Sequence, residues 1–172
     1  MTRPSWDLNF LTKAKQIAEM GTCARRQVGC ILVDEHNVEL ASGFNGTPPG
    51  WPHCRYPILA ADVCEGAYAR SGTNLDACLA NHAEINALIK CPDVTKIRTV
   101  YTTTSPCVSC VKAILCTYAS RIVFSDEYSQ PYAKLLWLKN PLSITSIRGR
   151  TIFEHRHWIY VDSEGKETVT SS

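Results

Sequence analysis

Residues 99–110 read Thr-Val-Tyr-Thr-Thr-Thr-Ser-Pro-Cys-Val-Ser-Cys, a run of β-forming residues that leads directly into a helix start. We predict a strand over 99–103 and a helix over 106–119, with Ser105 as the N-cap and Pro106 as the first helical residue. A strand that passes straight into a helix is typical of an α/β domain, in which helices cover a sheet. The fold class predicted from this stretch is therefore α/β.

The rest of the chain repeats this alternation of strands and helices. Helices are predicted over 5–20, 81–90, 106–119 and 131–139, and strands over 28–33, 38–42, 99–103 and 121–124, with one or two more within 143–161. Asn81 is the expected N-cap of its helix. Residues 43–80 form a long irregular stretch. In a compact domain such a stretch usually has a function or is held in place by something other than its own secondary structure. We expect one domain over 1–162, followed by a polar, frayed tail over 163–172.

The composition excludes several classes of protein. The 172 residues carry 18 basic and 16 acidic side chains, a net charge of +2, and 45% of the residues are hydrophobic. A disordered chain would be less hydrophobic, and a protein that binds duplex DNA would carry a strong basic excess. Residues 1–20 lack the unbroken apolar run of a signal peptide, and no run is long enough to span a membrane. We therefore expect a cytoplasmic protein that binds neither membrane nor nucleic acid, with room for one anion in a local pocket.

Nine cysteines are the unusual feature of this composition. Because the count is odd, they cannot all form pairs, and a cytoplasmic protein keeps its thiols reduced. Clusters of cysteine in such a protein indicate metal ligands or catalytic groups more often than disulfide bridges.

Cys107 and Cys110 are the best candidates for metal ligands. They lie three residues apart on one face of the first turn of the predicted helix, where the helix dipole favours thiolates. Two thiolates supply half of a tetrahedral zinc site, and His82, at the start of another predicted helix, supplies a third ligand. Three protein ligands leave one position open, which is typical of a catalytic zinc. Alone, the Cys-x-x-Cys pair would also fit a redox-active or simply buried pair of thiols.

Glu84 follows His82 by two residues, which on a helix is about 200° around the axis. Joint ligation of one zinc by both side chains is therefore unfavourable, and Glu84 is better placed beside a water that the zinc activates. There it could take a proton from the water and deliver it to a substrate as a general acid and base.

The pair of segments His82-Ala-Glu84 and Pro106-Cys-Val-Ser-Cys110 resembles the signature of the zinc-dependent cytidine deaminase superfamily. The resemblance implies a three-layer α/β/α fold, with a mixed five-stranded sheet flanked by helices. It also implies a catalytic zinc held by His82, Cys107 and Cys110. Attack of the activated water on C4 of cytosine would release ammonia, with Glu84 moving the protons.

Four segments narrow the resemblance to the deoxycytidylate (dCMP) deaminases. They are Cys23-Ala-Arg-Arg-Gln-Val-Gly29, Gly43-Phe-Asn-Gly-Thr-Pro-Pro-Gly50, His53-Cys54 and His82-Ala-Glu-Ile-Asn-Ala87. Their order and spacing match the family over residues 5–135, which is most of the chain. The resemblance implies a hydrolase that converts dCMP to dUMP and ammonia, and so supplies dUMP for thymidylate synthesis.

Five residues are candidates for contact with a nucleotide. Arg25 and Arg26 precede the first predicted strand and can bind a phosphate, although solvated loop charges fit as well. Asn45 lies in a Gly-rich turn where a ligand can approach the backbone, and by resemblance its amide holds the deoxyribose; the alternative is a turn residue without a ligand. Tyr128 could line the sugar or phosphate pocket or pack in the core, and Ser105 is a candidate contact to the base.

A second, structural zinc is expected in the long irregular stretch, because four thiolates make a closed zinc site. The candidate ligands are Cys23, Cys54, Cys64 and Cys78. By resemblance, several dCMP deaminases carry a second zinc in this region, and Cys23 and Cys54 match positions used there. The other two ligands vary in the family, so His53 could replace Cys64 or Cys78. Free, partly buried thiols are the alternative.

The resemblance also implies regulation and assembly. Members of the family are commonly homohexamers that dCTP with Mg²⁺ activates and dTTP inhibits. The effector loop tied to this regulation reads Gly43-Phe44-Asn45-Gly46 here. Phe44 stands where the family has tyrosine, so a contact through that hydroxyl would be lost, whereas packing of the ring would remain.

Two other functions fit parts of the sequence. Within the same superfamily, the substrate could be dCTP or free (deoxy)cytidine. A pair of arginines indicates a phosphate but does not show how many phosphates the substrate carries. Outside the enzymes, a zinc-stabilised module that binds nucleic acid would use the same ligands. The net charge of +2 and the lack of a basic run disfavour that module.

Overall fold

A six-stranded sheet forms the centre of the fold in the part of the chain that the computed structural model describes, residues 3–54, 64–70, 73, 77–145 and 151–171. The helices are α1 (Trp6–Ala18), α2 (Glu65–Tyr68), α3 (Ala83–Lys90), α4 (Val108–Leu115) and α5 (Pro131–Leu138). The strands are β1 (Gly29–Val33), β2 (Glu39–Phe44), β3 (Thr99–Thr104), β4 (Arg121–Asp126), β5 (Leu142–Thr145), β6 (Thr151–Glu154), β7 (His157–Val161) and β8 (Glu167–Ser171). None of the described helices is long and apolar enough to cross a membrane.

The sheet is mixed, as predicted, and its strand order is β2-β1-β3-β4-β7-β8. Strand β1 is antiparallel to both β2 and β3, while β3, β4 and β7 run parallel to one another. Strands β5 and β6 pair with each other in a separate two-stranded ribbon. Because β3 and β4 are parallel, their carboxyl ends lie at the same edge of the sheet, where side chains that follow both strands can meet.

The predictions of a five-stranded sheet and of a frayed tail over 163–172 are wrong, because Glu167–Ser171 pairs antiparallel with β7 as the sixth strand. Asp162 Oδ1 accepts hydrogen bonds from two backbone N–H groups of the turn, both 2.9 Å long, and Gly165 has a φ of 83°. This turn reverses the chain. The side chains of β8 are mostly exposed, so the sequence has no alternating hydrophobic pattern to reveal the strand. The domain boundary at residue 162 stays a prediction.

Helices cover both faces of the sheet, which confirms the predicted three layers. On one face, Phe10 and Ala14 of α1 pack against Ile31 and Tyr101. On the other face, residues of α3, α4 and α5 form the larger core cluster, in which Trp137 is fully buried. Every residue of β1 and β3 is buried, as expected for central strands that are covered on both sides.

Two glycines let the helices approach the sheet closely. A Cβ at Gly29 would lie 2.0 Å from the carbonyl oxygen of Ala14 in α1, and a Cβ at Gly43 would lie 2.5 Å from the backbone nitrogen of Ala87 in α3. Any larger residue at Gly43 would push α3 away from β2. Gly43 therefore helps to set the position of the helix that begins after His82.

The irregular stretch predicted over 43–80 is described in part. Residues 55–63, 71–72 and 74–76 lie outside the described residues. Within the rest of the stretch, Glu65–Tyr68 forms the short helix α2, which the sequence pattern did not predict.

Candidate active site

The structure brings His82, Cys107 and Cys110 together. His82 Nδ1 lies 3.4 Å from Cys107 Sγ and 3.3 Å from Cys110 Sγ. These three ligand atoms all lie within 4.8 Å of one another, and within the described ranges no other group of His, Cys, Asp or Glu side chains does so. Cys110 is fully buried and Cys107 nearly so.

This donor set fits a zinc ion. A tetrahedral zinc holds sulfur at about 2.3 Å and nitrogen at about 2.0 Å, which places neighbouring ligand atoms roughly 3.5 Å apart. The separations of 3.3 and 3.4 Å agree with that spacing. Since the set has three members, a fourth position stays open for water or substrate, which is the arrangement of catalytic zinc sites.

The candidate ligands stand at the starts of two helices. His82 is the N-cap of α3 and Cys107 is the N-cap of α4, and neither side chain caps its own helix. The predicted N-caps, Asn81 and Ser105, are therefore wrong by one and two residues. Because neither the imidazole nor the thiol serves as a helix cap, both are available to a metal.

Asn81 and Ser105 instead hold the chain that leads into these helices. The backbones of Asn81 and Gly46 exchange hydrogen bonds of 2.9 and 3.1 Å in an isolated β-bridge. Ser105 Oγ accepts the N–H of Tyr128 at 2.7 Å, which ties the end of β3 to the segment after β4. These long-range bonds explain why both helices begin later than the capping pattern predicts.

The site favours a thiolate at Cys107. A hydrogen bond with Cys110 and another with His82 lower the pKa of Cys107 to about 4, although burial opposes the shift. The contact with Cys107 also raises the pKa of His82 above its ordinary value. Zinc binds the thiolate rather than the thiol, so this side chain is prepared for the ion.

Glu84 is buried beside the candidate ligands without being one of them. It is 4% exposed, and it lines the same cavity as His82 and Cys107. Burial raises the pKa of Glu84 above its ordinary range, and a hydrogen bond with Cys110 opposes the rise. A carboxyl with a raised pKa can both accept and donate a proton, which suits a general acid and base.

A cavity of about 320 Å³ opens beside these residues. The five candidates for nucleotide contact all line it, namely Arg25, Arg26, Asn45, Ser105 and Tyr128. The cavity therefore joins the candidate metal ligands, the buried carboxyl and the candidate nucleotide contacts in one space.

The two arginines differ in what they bind. Arg25 donates from its guanidinium to the carbonyl oxygens of Gly66 at 3.1 Å and Arg70 at 2.9 Å, so it holds the α2 segment against the cavity. Arg26 is exposed, and its guanidinium lies 6.0 Å from the centre of the Tyr128 ring. Arg26 is thus the freer of the two to bind an anion, a distinction that the sequence does not make.

Asn45 binds protein backbone in this structure. Its Nδ2 donates to the carbonyl oxygen of Arg26 at 2.6 Å, and its Oδ1 accepts the N–H of Val28 at 2.8 Å. The amide is thus bonded at both ends to the segment that carries Arg26. Besides the sugar contact that the family resemblance implies, Asn45 has the role of positioning Arg26.

Sequence reasoning missed Thr104 and Gln130. Thr104, the last residue of β3, lines the cavity. Gln130 Oε1 accepts the N–H of Val108 at 3.0 Å and so caps α4 from 22 positions along the chain. Thr104 could have been found from its place next to Ser105 at a strand end. No local signal marks Gln130, because its partner lies in another element.

The four cysteines expected to bind a second zinc pack in one cluster next to the cavity, although no three of their sulfur atoms all lie within 4.8 Å of one another. Cys64 Sγ lies 4.0 Å from Cys78 Sγ and accepts the N–H of Leu79 at 3.3 Å. Burial would raise the pKa of Cys64, but this N–H and other hydrogen bonds lower it overall. Cys23 and Cys54 complete the cluster, and both are 7% exposed.

The predicted effector loop, Gly43-Phe44-Asn45-Gly46, leaves the end of β2 and packs on α3. The carbonyl oxygen of Phe44 accepts a hydrogen bond from Asn86 Nδ2 at 2.8 Å. Lys90 Nζ lies 5.4 Å from the centre of the Phe44 ring. The loop is therefore joined to α3, the helix that His82 precedes.

A family model described as the cytidine and deoxycytidylate deaminase zinc-binding region matches residues 4–126. The chain belongs to this family. The matched range contains His82, Glu84, Cys107 and Cys110, so the family's zinc-binding region coincides with the cluster that the structure shows.

Relatives in this family are similar over most of the chain. The deoxycytidylate deaminase of Saccharomyces cerevisiae is 35% identical over 142 residues, which cover 81% of this chain and 44% of the yeast protein. That of Schizosaccharomyces pombe is 36% identical over 129 residues, 74% of this chain and 39% of its own length. That of Mycobacterium phage D29 is 34% identical over 131 residues, 74% of this chain and 99% of the phage protein. The chain thus spans less than half the length of the two yeast relatives.

Solved structures share the fold. The dCMP deaminase of cyanophage S-TIM5, in complex with dCMP and dUMP, is similar with a TM-score of 0.60 at 24% identity, covering 81% of this chain and 94% of that one. The apo form of the same phage protein is similar with a TM-score of 0.58, also at 24% identity, over 80% of this chain and 94% of that one. These similarities support the layered α/β architecture.

Proposed function

We propose that this protein is a zinc-dependent hydrolase that converts dCMP to dUMP and ammonia. The observation that carries the proposal is one cavity lined by candidate zinc ligands, the buried carboxyl of Glu84 and the exposed Arg26. The family and the names of the relatives, deoxycytidylate deaminase, support the reaction and the substrate.

The proposed chemistry adds a water oxygen to C4 of cytosine and breaks the bond from C4 to the amino nitrogen. Zinc, when bound, lowers the pKa of the attacking water and so provides a nucleophile near neutral pH. His82, Cys107 and Cys110 would hold the ion. Glu84 would take the proton from the water and deliver it to the base, so that the amino group leaves as ammonia.

Substrate size and charge follow from the rest of the cavity. Its volume of about 320 Å³ is at the lower end for small-molecule sites, which favours a single nucleotide over a nucleic-acid strand. Arg26 would bind the phosphate beside Tyr128, and Ser105 would contact the base. Arg25, which is bonded to the α2 segment, would shape the cavity wall.

The test follows ultraviolet absorbance and ammonia release from dCMP, dCTP and cytidine on the zinc-loaded protein. We expect kcat/KM for dCMP to exceed that for cytidine by roughly 10-fold or more, since a charge-assisted hydrogen bond contributes about 1.5–3 kcal/mol. A preference for cytidine would contradict the role of Arg26. Ammonia release from none of the three, together with salt-dependent binding of single-stranded DNA, would support the nucleic-acid module instead.

We also propose a structural zinc held by Cys23, Cys54, Cys64 and Cys78. Its support is that the four side chains cluster, and that an N–H donated to Cys64 lowers the pKa of that thiol. Such a zinc would link the α2 segment to the residues before β1. It would thereby fix one wall of the cavity, which Cys23 and Cys78 line.

Regulation and assembly are proposed from the family resemblance. We expect a homohexamer in the cytoplasm, activated by dCTP with Mg²⁺ and inhibited by dTTP. The contacts of Phe44 with Asn86 and Lys90 support a link between the effector loop and the active site, because His82 is the N-cap of α3. An effector that moved this loop would act directly on the position of a candidate ligand.

A further inference from the structure

A second cavity lies at the other end of the parallel strands. Cys107 and Cys110 follow the carboxyl end of β3, whereas Ser120 and Arg156 stand directly before the amino ends of β4 and β7. A cavity of about 340 Å³ opens there, lined by Arg156, Thr117, Tyr118, Asn140 and neighbouring residues of the turns after α4 and α5. The proposed deamination uses none of these residues.

Arg156 carries a buried guanidinium, two nitrogens of which lack an acceptor among the described residues. It is 3% exposed, and its Nε and Nη1 have no hydrogen-bond partner in the described part of the chain. Its guanidinium lies 4.3 Å from the centre of the Trp137 ring. The face of an aromatic ring attracts a cation, but it offers no acceptor in the plane of the guanidinium N–H groups.

The charge of Arg156 persists despite this burial. Burial lowers its pKa to about 10, so the side chain remains a cation at neutral pH. The ion pairs between described residues are Glu35–His36, Arg98–Glu154 and Asp7–Arg121. Glu154, two residues before Arg156, is therefore already paired. Buried cations are strongly unfavourable unless an opposite charge reaches them.

Two further donors lie on the same face of the sheet. Ser120 Oγ and Trp158 Nε1 are also buried without a hydrogen-bond partner among the described residues. In the parallel pair of β4 and β7, Arg121 is opposite His157, so Ser120 and Arg156 are side by side. Trp158 follows Arg156 by two residues on the same face, but its side chain lines a different cavity, with Gln130 and Pro131.

We propose that this second cavity binds an oxyanion, a phosphate or a carboxylate, on Arg156, the cation that lines it. Arginine suits such a ligand because its N–H groups match two oxygens of one anion. Because the cavity is separate from the candidate active site, this anion does not compete with a nucleotide bound near Arg26.

The test measures the midpoint of thermal unfolding of the zinc-loaded protein in sodium phosphate, sodium acetate and sodium chloride at equal ionic strength. We expect phosphate, acetate or both to raise the midpoint by about 3–6 °C over chloride when the anion is present at ten times its dissociation constant from the protein. The anion that acts identifies the ligand as a phosphate or a carboxylate. Arg156→Met should abolish the shift.

Three control variants complete the design. Arg26→Gln should keep the shift, because it alters only the candidate active site. Lys139→Met removes a cation near the second cavity and should also keep it. If Arg156→Met does not fold, Asn140→Asp decides, because it places a negative charge in the lining of the cavity: a several-fold weaker apparent affinity supports the site, and an unchanged affinity overturns it. Equal midpoints in all three salts, or a shift that Arg156→Met retains, would overturn the proposal.

Discussion

The backbone N–H of Val108 donates to the side-chain oxygen of Gln130 over 3.0 Å. Val108 is the first residue of α4, directly after Cys107, and Gln130 is the residue before α5. The N–H of Tyr128 donates to Ser105 Oγ at 2.7 Å in the same region. The segment that follows β4 therefore holds the turn that presents Cys107, because it satisfies a helix donor that has no partner within α4.

Replacing Gln130 by Ala should loosen this turn. We expect the free energy of unfolding to fall by about 1 kcal/mol, as for the loss of other helix caps, and zinc to be released more readily to a chelator. Urea unfolding and competition with a zinc-binding dye measure the two effects. Gln130→Glu keeps an acceptor at the helix start and should resemble the unmodified protein. Wild-type zinc retention and stability in Gln130→Ala would show that this bond does not support the site.

Glu84→Gln should separate metal binding from catalysis. Glutamine keeps the size of the side chain but cannot carry a proton, so we expect kcat for dCMP to fall by roughly 10²–10⁴-fold. The zinc content, measured by atomic absorption, should not change, since Glu84 lies outside the group of candidate ligands. Glu164→Gln, in the exposed turn before β8, is the matched control. Full activity in Glu84→Gln would rule out the acid and base role.

Arg25 and Arg26 should respond differently to the same change. Because Arg26 is exposed beside Tyr128, we expect Arg26→Gln to raise KM for dCMP by roughly 10-fold or more while KM for deoxycytidine changes little. Because Arg25 is bonded to two carbonyl oxygens, Arg25→Gln should mainly lower thermal stability. Steady-state kinetics and thermal unfolding of both variants provide the comparison. Similar effects on KM from the two variants would refute this assignment.

Residue types and spacing predicted which side chains gather at the site better than they predicted its local geometry. His82, Glu84 and the two cysteines could be found because each signal lies within a few residues. The helix starts could not, because Asn81 is paired with Gly46 and Ser105 with Tyr128 by bonds between distant parts of the chain. For the same reason the sequence could not tell Arg25 from Arg26.

The sequence pattern also did not predict strand β8. Its residues are polar and mostly exposed, so only the turn around Gly165 and the free edge of β7 bring it into the sheet. The alternation of strands and helices predicted the layered α/β class, and the structure confirms the three layers that the family resemblance implied.

Zinc content should distinguish the two proposed metal sites. We expect close to two zinc ions per chain, one lost in Cys107→Ser and the other lost in Cys64→Ser. Cys116→Ser is the control, because Cys116 is exposed and belongs to neither cluster. Metal analysis after purification makes the comparison. A single zinc that disappears in Cys107→Ser would refute the structural site and leave the catalytic one.

Stability should depend on pH through Arg98 and Glu154. Arg98 donates to both carboxylate oxygens of Glu154, with one bond of 2.5 Å, and this hydrogen bonding lowers the pKa of Glu154 below its ordinary value. A carboxyl whose pKa is lower in the folded state stabilises the fold above its unfolded pKa, at about 4.3, and loses that contribution as the pH falls through the folded value. The pair links the end of β6 to the residue before β3.

A double-mutant cycle of Arg98→Met and Glu154→Gln isolates this contribution. At pH 7 we expect a coupling on the order of 1 kcal/mol in the free energy of unfolding, limited because both side chains are about one-third exposed to water. Below about pH 4 the coupling should decline, since protonation of Glu154 removes its charge. Urea unfolding at several pH values measures it, and a coupling that stayed constant from pH 7 to pH 3 would contradict the lowered pKa.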